Sequence, residues 1–299
     1  MGLEDGFATG GLKQVNFPDP VWLKANFPEL SDFQLLGQGG QKLVMRAKHC
    51  TDGDVVLKLI HPCTNVETVR REMLAVQEVR SPRVPKILQH GSVTTQTGPC
   101  VWLWEELISG HSVRQMLASG SLPALAVLRL GLHVLEALER AENVQIVHRD
   151  VKPDNIICDL KGSFWLLDFG IARHLDLSSL TASGLPFGKM TMGYAPPEQC
   201  RNLKADIDSR ADLFALGVTL HECGTGKNGF LDPPPRDHLE LLRRVERWVL
   251  SPIDLPIAEK ASFRDLVQAM TQKNRVHRPR TVRDTLAWLR EICLREGVS

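Results

Sequence analysis

No apolar run in the 299 residues approaches the roughly 20 that a membrane helix needs. Charge of one sign is not in excess either. The 36 Lys and Arg balance 35 Asp and Glu, leaving a formal +1. Such a balance calls for neither a nucleic acid nor a membrane partner. The densest basic cluster, Arg243, Arg244 and Arg247, shares a helical pattern with Glu240 and Glu246 and reads as a solvated helix face. The N-terminus lacks the basic-then-apolar pattern of a signal peptide, and Gly6 stands where a myristoylation start wants Ser or Thr. The seven cysteines contain no Cys-x-x-Cys and no spacing for a metal knuckle. Scattered, odd-numbered thiols fit a reducing compartment, and the expectation is a cytoplasmic protein. Low-complexity tracts are absent.

What is present is 43% hydrophobic residues and 24% charged ones, ordinary for a globular chain long enough for two coupled lobes. Residues 1–30 are rich in Gly, Pro and polar groups and form an expected N-terminal extension, packed down by Phe17, Trp22 and Phe27. From about residue 31, strand-like runs at Gln34–Leu36, Val44–Ala47 and Val55–Ile60, separated by Gly and Asp turns, predict a meander. Strand character continues through Pro85–Gln89 and Val101–Trp104.

Between these strands, Thr64 and Glu67 have the spacing of a capping box and open a helix. At 100° per residue Val66, Val69, Met73 and Val76 share a stripe, and Glu72 falls on the same apolar side. Glu67 and Glu78 fall opposite. A carboxylate directed into a core needs a cationic partner. After Gly110 the pattern becomes helical, with Leu125, Leu128, Leu132, Leu135 and Leu138 marking a long buried helix. Further helices are expected over about 210–222, 236–250, 262–271 and 281–295. A strand-rich third followed by a helix-rich remainder is α+β with segregated lobes. The expected division is 1–30, 31–107 and 108–299.

An ordered set of motifs follows the long helix. His148-Arg149-Asp150-Val151-Lys152-Pro153-Asp154-Asn155 comes first and Asp168-Phe169-Gly170 second. Gly193-Tyr194-Ala195-Pro196-Pro197-Glu198, Asp212-Leu213-Phe214-Ala215-Leu216-Gly217 and Arg278-Pro279 complete it. Together these resemble the protein kinase superfamily, and most closely the eukaryotic-like serine/threonine kinases of bacteria, over about residues 31–295. The resemblance implies a bilobal fold, ATP and Mg²⁺ as cofactors, and proteins with Ser or Thr acceptors as substrates.

Residue by residue, the resemblance implies that Asp150 accepts the proton of the substrate hydroxyl and Lys152 neutralises the γ-phosphate. Asn155 and Asp168 hold magnesium, a hard cation that takes oxygen ligands. Gly37, Gly39 and Gly40 resemble the loop that covers the phosphates, with Lys42 where the family has a third glycine. Lys58, inside the apolar run Val55–Ile60, matches the lysine on the α- and β-phosphates, and Glu72 its partner. Trp104–Gly110 resembles the linker between lobes. The register makes Glu105 the gatekeeper and Glu106 to Ile108 the adenine-facing backbone; a shift by one stays open because both positions are Glu. Val44, Val56 and Ile157 would enclose adenine, though simple core packing suits them equally. Asp212, Glu198 and Arg278 match structural positions, as do His148 and Phe169.

Lys152 two residues after Asp150, and Thr191 three before Tyr194, resemble serine/threonine rather than tyrosine kinases. Met190 stands where a glycine is common. Arg149 beside Asp150 implies autophosphorylation within 178–183, with Thr181 leading. Two other readings, a pseudokinase or scaffold and a small-molecule phosphotransferase of kinase-like fold, make different demands on the chain. A pseudokinase would lack Lys58, Asp150, Asn155 or Asp168, and all four are present. A small-molecule phosphotransferase usually lacks the 193–198 segment. A regulatory partner acting through residues 1–30 is compatible with catalysis.

Overall fold

The computed structural model describes residues 18–38, 42–60, 73–95, 98–169 and 193–298. The chain divides into two compact units, Met1–Glu67 with Ile87–Leu107, and Thr68–Lys86 with Ile108–Ser299.

The first unit is an antiparallel five-stranded sheet of order β1-β2-β3-β5-β4, built from β1 (Leu30–Gln38), β2 (Lys42–His49), β3 (Gly53–Ile60), β4 (Ile87–Thr95) and β5 (Gly98–Glu106). The expected meander is β1–β2–β3, its strands longer than the apolar runs alone mark. Strand β5 enters between β3 and β4. One face of the sheet carries Leu43, Met45, Ala47, Val55, Leu57, Leu59, Cys100 and Trp104 in a single apolar cluster.

That cluster is closed by a helix that the sequence pattern did not announce, α1 (Pro20–Asn26). Asp19 caps it, accepting the Val21 N–H at 3.0 Å, and Pro20 sits in the first turn, where its missing N–H costs nothing. Leu23 and Phe27 are fully buried there, and Phe27 meets Trp102 edge-on at 5.4 Å between ring centres. Trp22 packs alongside, so the expected packing of the extension holds for Trp22 and Phe27. Phe17 lies outside the described residues, as does the Thr64–Glu67 capping box.

The second unit is helical around α3 (Ala124–Asn143), with α2 (Val113–Leu117), α4 (Pro197–Cys200), α5 (Ser209–Thr225), α6 (His238–Arg247), α7 (Lys260–Met270) and α8 (Val282–Arg295). A small sheet of β6 (Gly110–Ser112), β7 (Ile156–Asp159) and β8 (Phe164–Leu166) belongs to it. The four expected late helices appear as α5 to α8. Helix α2 is short but well started, because Ser112 and Gln115 form a reciprocal capping box. Helical residues 73–77 also belong here, with Met73 and Val79 buried and Glu78 exposed. A strand-rich unit and a helical unit are the α+β, bilobal arrangement that the sequence predicts.

One expectation is corrected. Arg244 is not part of a solvated face; it is 4% exposed. Its guanidinium takes Glu240 at 2.5 Å and the carbonyls of Phe230 and Pro233, and lies 4.5 Å over the Trp248 ring. Its planar fork of donors reaches the carboxylate and both carbonyls at once, which suits it to burial.

His133 gives the second unit a pH dependence. This buried side chain on α3 accepts the Phe164 N–H on Nδ1 at 3.0 Å. Burial, and then the charge of Arg83, push its pKa down to about 4. The unfolded chain protonates near 6.5 and the fold resists until about 4, so stability is lost as pH falls through that window. The expected loss is about 3 kcal/mol by pH 4. His133→Asn, which retains an acceptor near the Nδ1 position, is expected to show a shallower decline in urea unfolding between pH 7 and 4. An unchanged slope would assign the acid sensitivity to other groups.

Candidate active site

In the second unit the loop after α3 is held from below by Asp212 of α5. This carboxylate is 1% exposed and accepts two backbone N–H groups, from His148 on Oδ2 and Arg149 on Oδ1, each at 2.7 Å. Burial pushes Asp212 up to about 7, and the two N–H donors pull the other way. Arg149 has φ of 65°, a left-handed conformation rare outside glycine. Asp212 therefore holds a turn that the chain would not adopt unaided.

That turn presents Asp150. Its N–H donates to His148 Nδ1 at 3.2 Å, and His148 Nε2 lies 2.8 Å from the Leu167 carbonyl. One ring nitrogen accepts, so the other carries the proton and donates. His148 is fully buried with its ring 4.6 Å from that of Phe169, in keeping with a structural role. Asp150 Oδ2 receives the Asn155 amide at 3.0 Å and the Lys152 ammonium at 3.1 Å. Asn155 Nδ2 also donates to the Asp150 carbonyl at 2.9 Å. With Nδ2 committed in this way, the Asn155 amide offers its oxygen to a cation. The Leu167 N–H donates to the Asn155 carbonyl at 2.8 Å, tying this loop to the segment that carries Asp168. Asp168 itself has φ of 58°. Ile157 is partly buried on β7, opposite Trp165 of β8, and Ile108 is partly buried just before β6.

Among the described residues no three His, Cys, Asp or Glu side chains cluster so as to hold a metal by themselves. The donors that are present, an Asp carboxylate and an Asn amide oxygen, are hard oxygen ligands. They suit magnesium, which takes one or two protein ligands and completes its shell with phosphate oxygens and water.

The Tyr194–Glu198 motif is anchored to the end of the second unit and to the Arg149 turn. Glu198 and Arg278 form a bidentate pair at 2.6 and 3.0 Å. The remaining Arg278 donors reach the carbonyls of Gln272, Arg210 and Lys273. Gln199, next to Glu198, donates to the Arg149 carbonyl at 2.9 Å.

Sequence reasoning assigned no role to Arg114, Tyr194 and Glu222. Arg114 donates to Glu222 at 2.7 Å and to the Tyr194 hydroxyl at 2.5 Å, and pairs with Asp154 at 3.2 Å. Tyr194 also bonds Glu222. Burial and the Glu222 charge hold the Tyr194 phenol well above its usual range. The signal was there to be read: Glu222 is the one carboxylate in the run Leu216–Cys223, whose other polar side chains are Thr219 and His221, the same logic that singled out Glu72.

In the first unit, strand register sets one sheet face. Lys58 lies opposite Val44 and Leu103, and Val56 opposite Arg46 and Glu105. Side chains alternate along a strand, so Val44, Val56, Lys58, Leu103 and Glu105 share the face away from α1. Lys58 is 6% and Glu105 8% exposed, and the Lys58 ammonium is ion-paired with the Glu105 carboxylate. Of the two adjacent glutamates Glu105 is the buried one, and Glu106 is partly exposed opposite Val55. Gly37 is near the end of β1 with open space around it. Gly39, Gly40 and Glu72 lie outside the described residues.

The model of the protein kinase domain matches residues 30–287. The chain belongs to the protein kinase family. It is 28% identical over 266 residues to a probable serine/threonine-protein kinase of Clostridium perfringens, covering 87% of this chain and 37% of that one. It is 29% identical over 220 residues to the serine/threonine-protein kinase PknB of Mycobacterium leprae, covering 70% and 35%. With the serine/threonine-protein kinase PknL of Mycobacterium tuberculosis it shares 35% over 162 residues, covering 54% and 39%. The chain thus spans about a third to two fifths of the length of these relatives.

Proposed function

We propose that this chain transfers the γ-phosphate of magnesium-bound ATP to Ser or Thr hydroxyls of proteins. The observation that carries the reading is the convergence of Lys152 and Asn155 on Asp150, on a loop braced by Asp212. Asp150 takes the proton from the attacking hydroxyl, which needs a carboxylate within hydrogen-bond reach. Lys152 offsets charge on the transferring group, and Lys58 binds the α- and β-phosphates. Asn155 and Asp168 supply the oxygen ligands for magnesium. When bound, the metal neutralises the phosphate oxygens and orients them for in-line transfer. Val44, Val56 and Ile157 supply apolar contact to adenine, and the backbone of Glu106 to Ile108 its polar edge. Proteins with Ser or Thr acceptors are the proposed partners, as the names of the relatives suggest.

Purified protein with radiolabelled ATP, magnesium and a generic basic acceptor protein is expected to give phosphoserine or phosphothreonine on acid hydrolysis. Absence of label, or label on tyrosine alone, would refute the assignment. The proposed autophosphorylation at Ser178, Ser179, Thr181 or Ser183 falls outside the described residues. Mass spectrometry after incubation with ATP, beside a phosphatase-treated sample, tests it. No helix among the described residues is long and apolar enough to cross a membrane. A cytoplasmic place of action and a regulatory partner of residues 1–30 remain part of this proposal.

A further inference from the structure

The Lys58–Glu105 pair places a carboxylate on the lysine assigned to the phosphates, from within the same sheet. Strand register shows from which side the carboxylate comes. Glu105 lies directly opposite Val56, two residues back from Lys58 along β3. The β1–β2 connection lies the other way, since Gln38 pairs with Leu43 and Lys42 with Ile60. Glu105 thus engages Lys58 from the Val56 row, on the side away from the end of the sheet where the glycine loop begins. The surroundings strengthen the contact. Val56, Val101 and Leu103 on this face are buried, and a charge pair with apolar neighbours is screened far less than one in water. Arg46, the cation in the same row as Glu105, is itself engaged by Asp54 at 2.7 Å.

We propose that Glu105 sets the nucleotide affinity of this protein by competing with phosphate oxygens for Lys58. This rests on the kinase reading above, in which Lys58 binds the α- and β-phosphates. A nucleotide arriving at this face meets a neutralised ammonium rather than a free one. It must draw Lys58 away from Glu105 and leave that carboxylate behind. Binding is weaker by the free energy of that exchange, and the penalty falls on ligands with phosphates. Adenosine, which asks nothing of Lys58, escapes it.

Isothermal titration of the full chain with magnesium-ADP, magnesium-ATP and adenosine tests this, on wild type, Glu105→Gln, Glu105→Met and Lys58→Met. Either Glu105 variant is expected to bind both nucleotides about tenfold more tightly, a coupling free energy of ordinary size. Adenosine affinity should not change. In the Lys58→Met background, Glu105→Gln should have no effect, because the competition needs both partners. Unchanged or weaker nucleotide binding in a folded Glu105 variant would overturn the proposal. So would equal tightening toward adenosine, or tightening that persists without Lys58. Glu105→Met guards against a Gln variant that fails to fold, and thermal unfolding identifies such a case. A wild type that binds no magnesium nucleotide would overturn the kinase reading itself and this inference with it. A wild type that binds normally, with indifferent Glu105 variants, would overturn this inference alone.

Discussion

Asp150→Asn is expected to lower phosphate transfer by roughly 10²–10⁴, the range that a positioned general base contributes. The substitution keeps the shape of the side chain and removes its charge. Asn155 can still donate to the oxygen that remains, and Asp212 still holds the backbone at His148 and Arg149, so the loop is expected to persist. Lys152 loses its partner at 3.1 Å, but it is partly exposed and gains solvent in exchange. Asp150 is not assigned to phosphate or metal. Magnesium-ADP affinity and the urea midpoint should therefore stay close to wild type while the rate collapses. Transfer at the wild-type rate would remove Asp150 from the chemistry. Loss of nucleotide affinity together with rate would show that it acts on binding instead.

The second large effect is on stability. Arg278→Ala is expected to cost about 3–5 kcal/mol, the usual penalty for leaving one member of a buried ion pair alone. The Arg278 side chain has no solvent exposure and that of Glu198 has 8%, so the abandoned carboxylate has little water to turn to. Three carbonyls, of Gln272, Arg210 and Lys273, lose their donor in the same step. The double variant Arg278→Met with Glu198→Leu is expected to recover part of the loss, because it removes the orphaned charge as well. Urea unfolding of both singles and the double measures the coupling. Activity should fall in the singles too. Glu198 sits on α4 beside Gln199, whose amide holds the Arg149 carbonyl next to Asp150. A single variant within 1 kcal/mol of wild type would show that the pair is dispensable; that margin is the span of ordinary surface ion pairs.

Much of the architecture was legible in the chain because its signals are local. The leucine stripe of α3, apart from the exposed Leu125, and the periodicities of α7 and α8 come from neighbouring residues on one helix face, while α5 shows as a mostly apolar run buried all round. The motif residues Asp150, Asn155, Asp168 and Asp212 stood out for the same reason, as polar groups in fixed short contexts. Helix α1 did not stand out, because seven residues hold too few turns to show a period. Its place depends on Phe27 finding Trp102 and Trp104, which lie far along the chain.

The Arg244 error has a comparable cause. A helical wheel puts three arginines on α6 without saying which of them meets the carbonyls of Phe230 and Pro233. Nor does sequence separation reveal that Arg114 joins Tyr194, 80 residues on, and Glu222, 108 residues on.

By itself, the sequence determined the element types, the order of the motifs and the family to which they point. All of these are encoded in spacing and periodicity along the chain. Only the tertiary structure decided which of Glu105 and Glu106 is buried against Lys58. Alternation required that the two face opposite ways, but both faces of β5 are apolar, with Val101 and Leu103 on one and Cys100, Trp102 and Trp104 on the other. No hydrophobic contrast marked which side was which. Pairing with β3, and the covering of one face by α1, turned Glu105 toward Lys58 and left Glu106 partly in solvent. Such choices rest on contacts between distant segments, which form only when the strands have found their register.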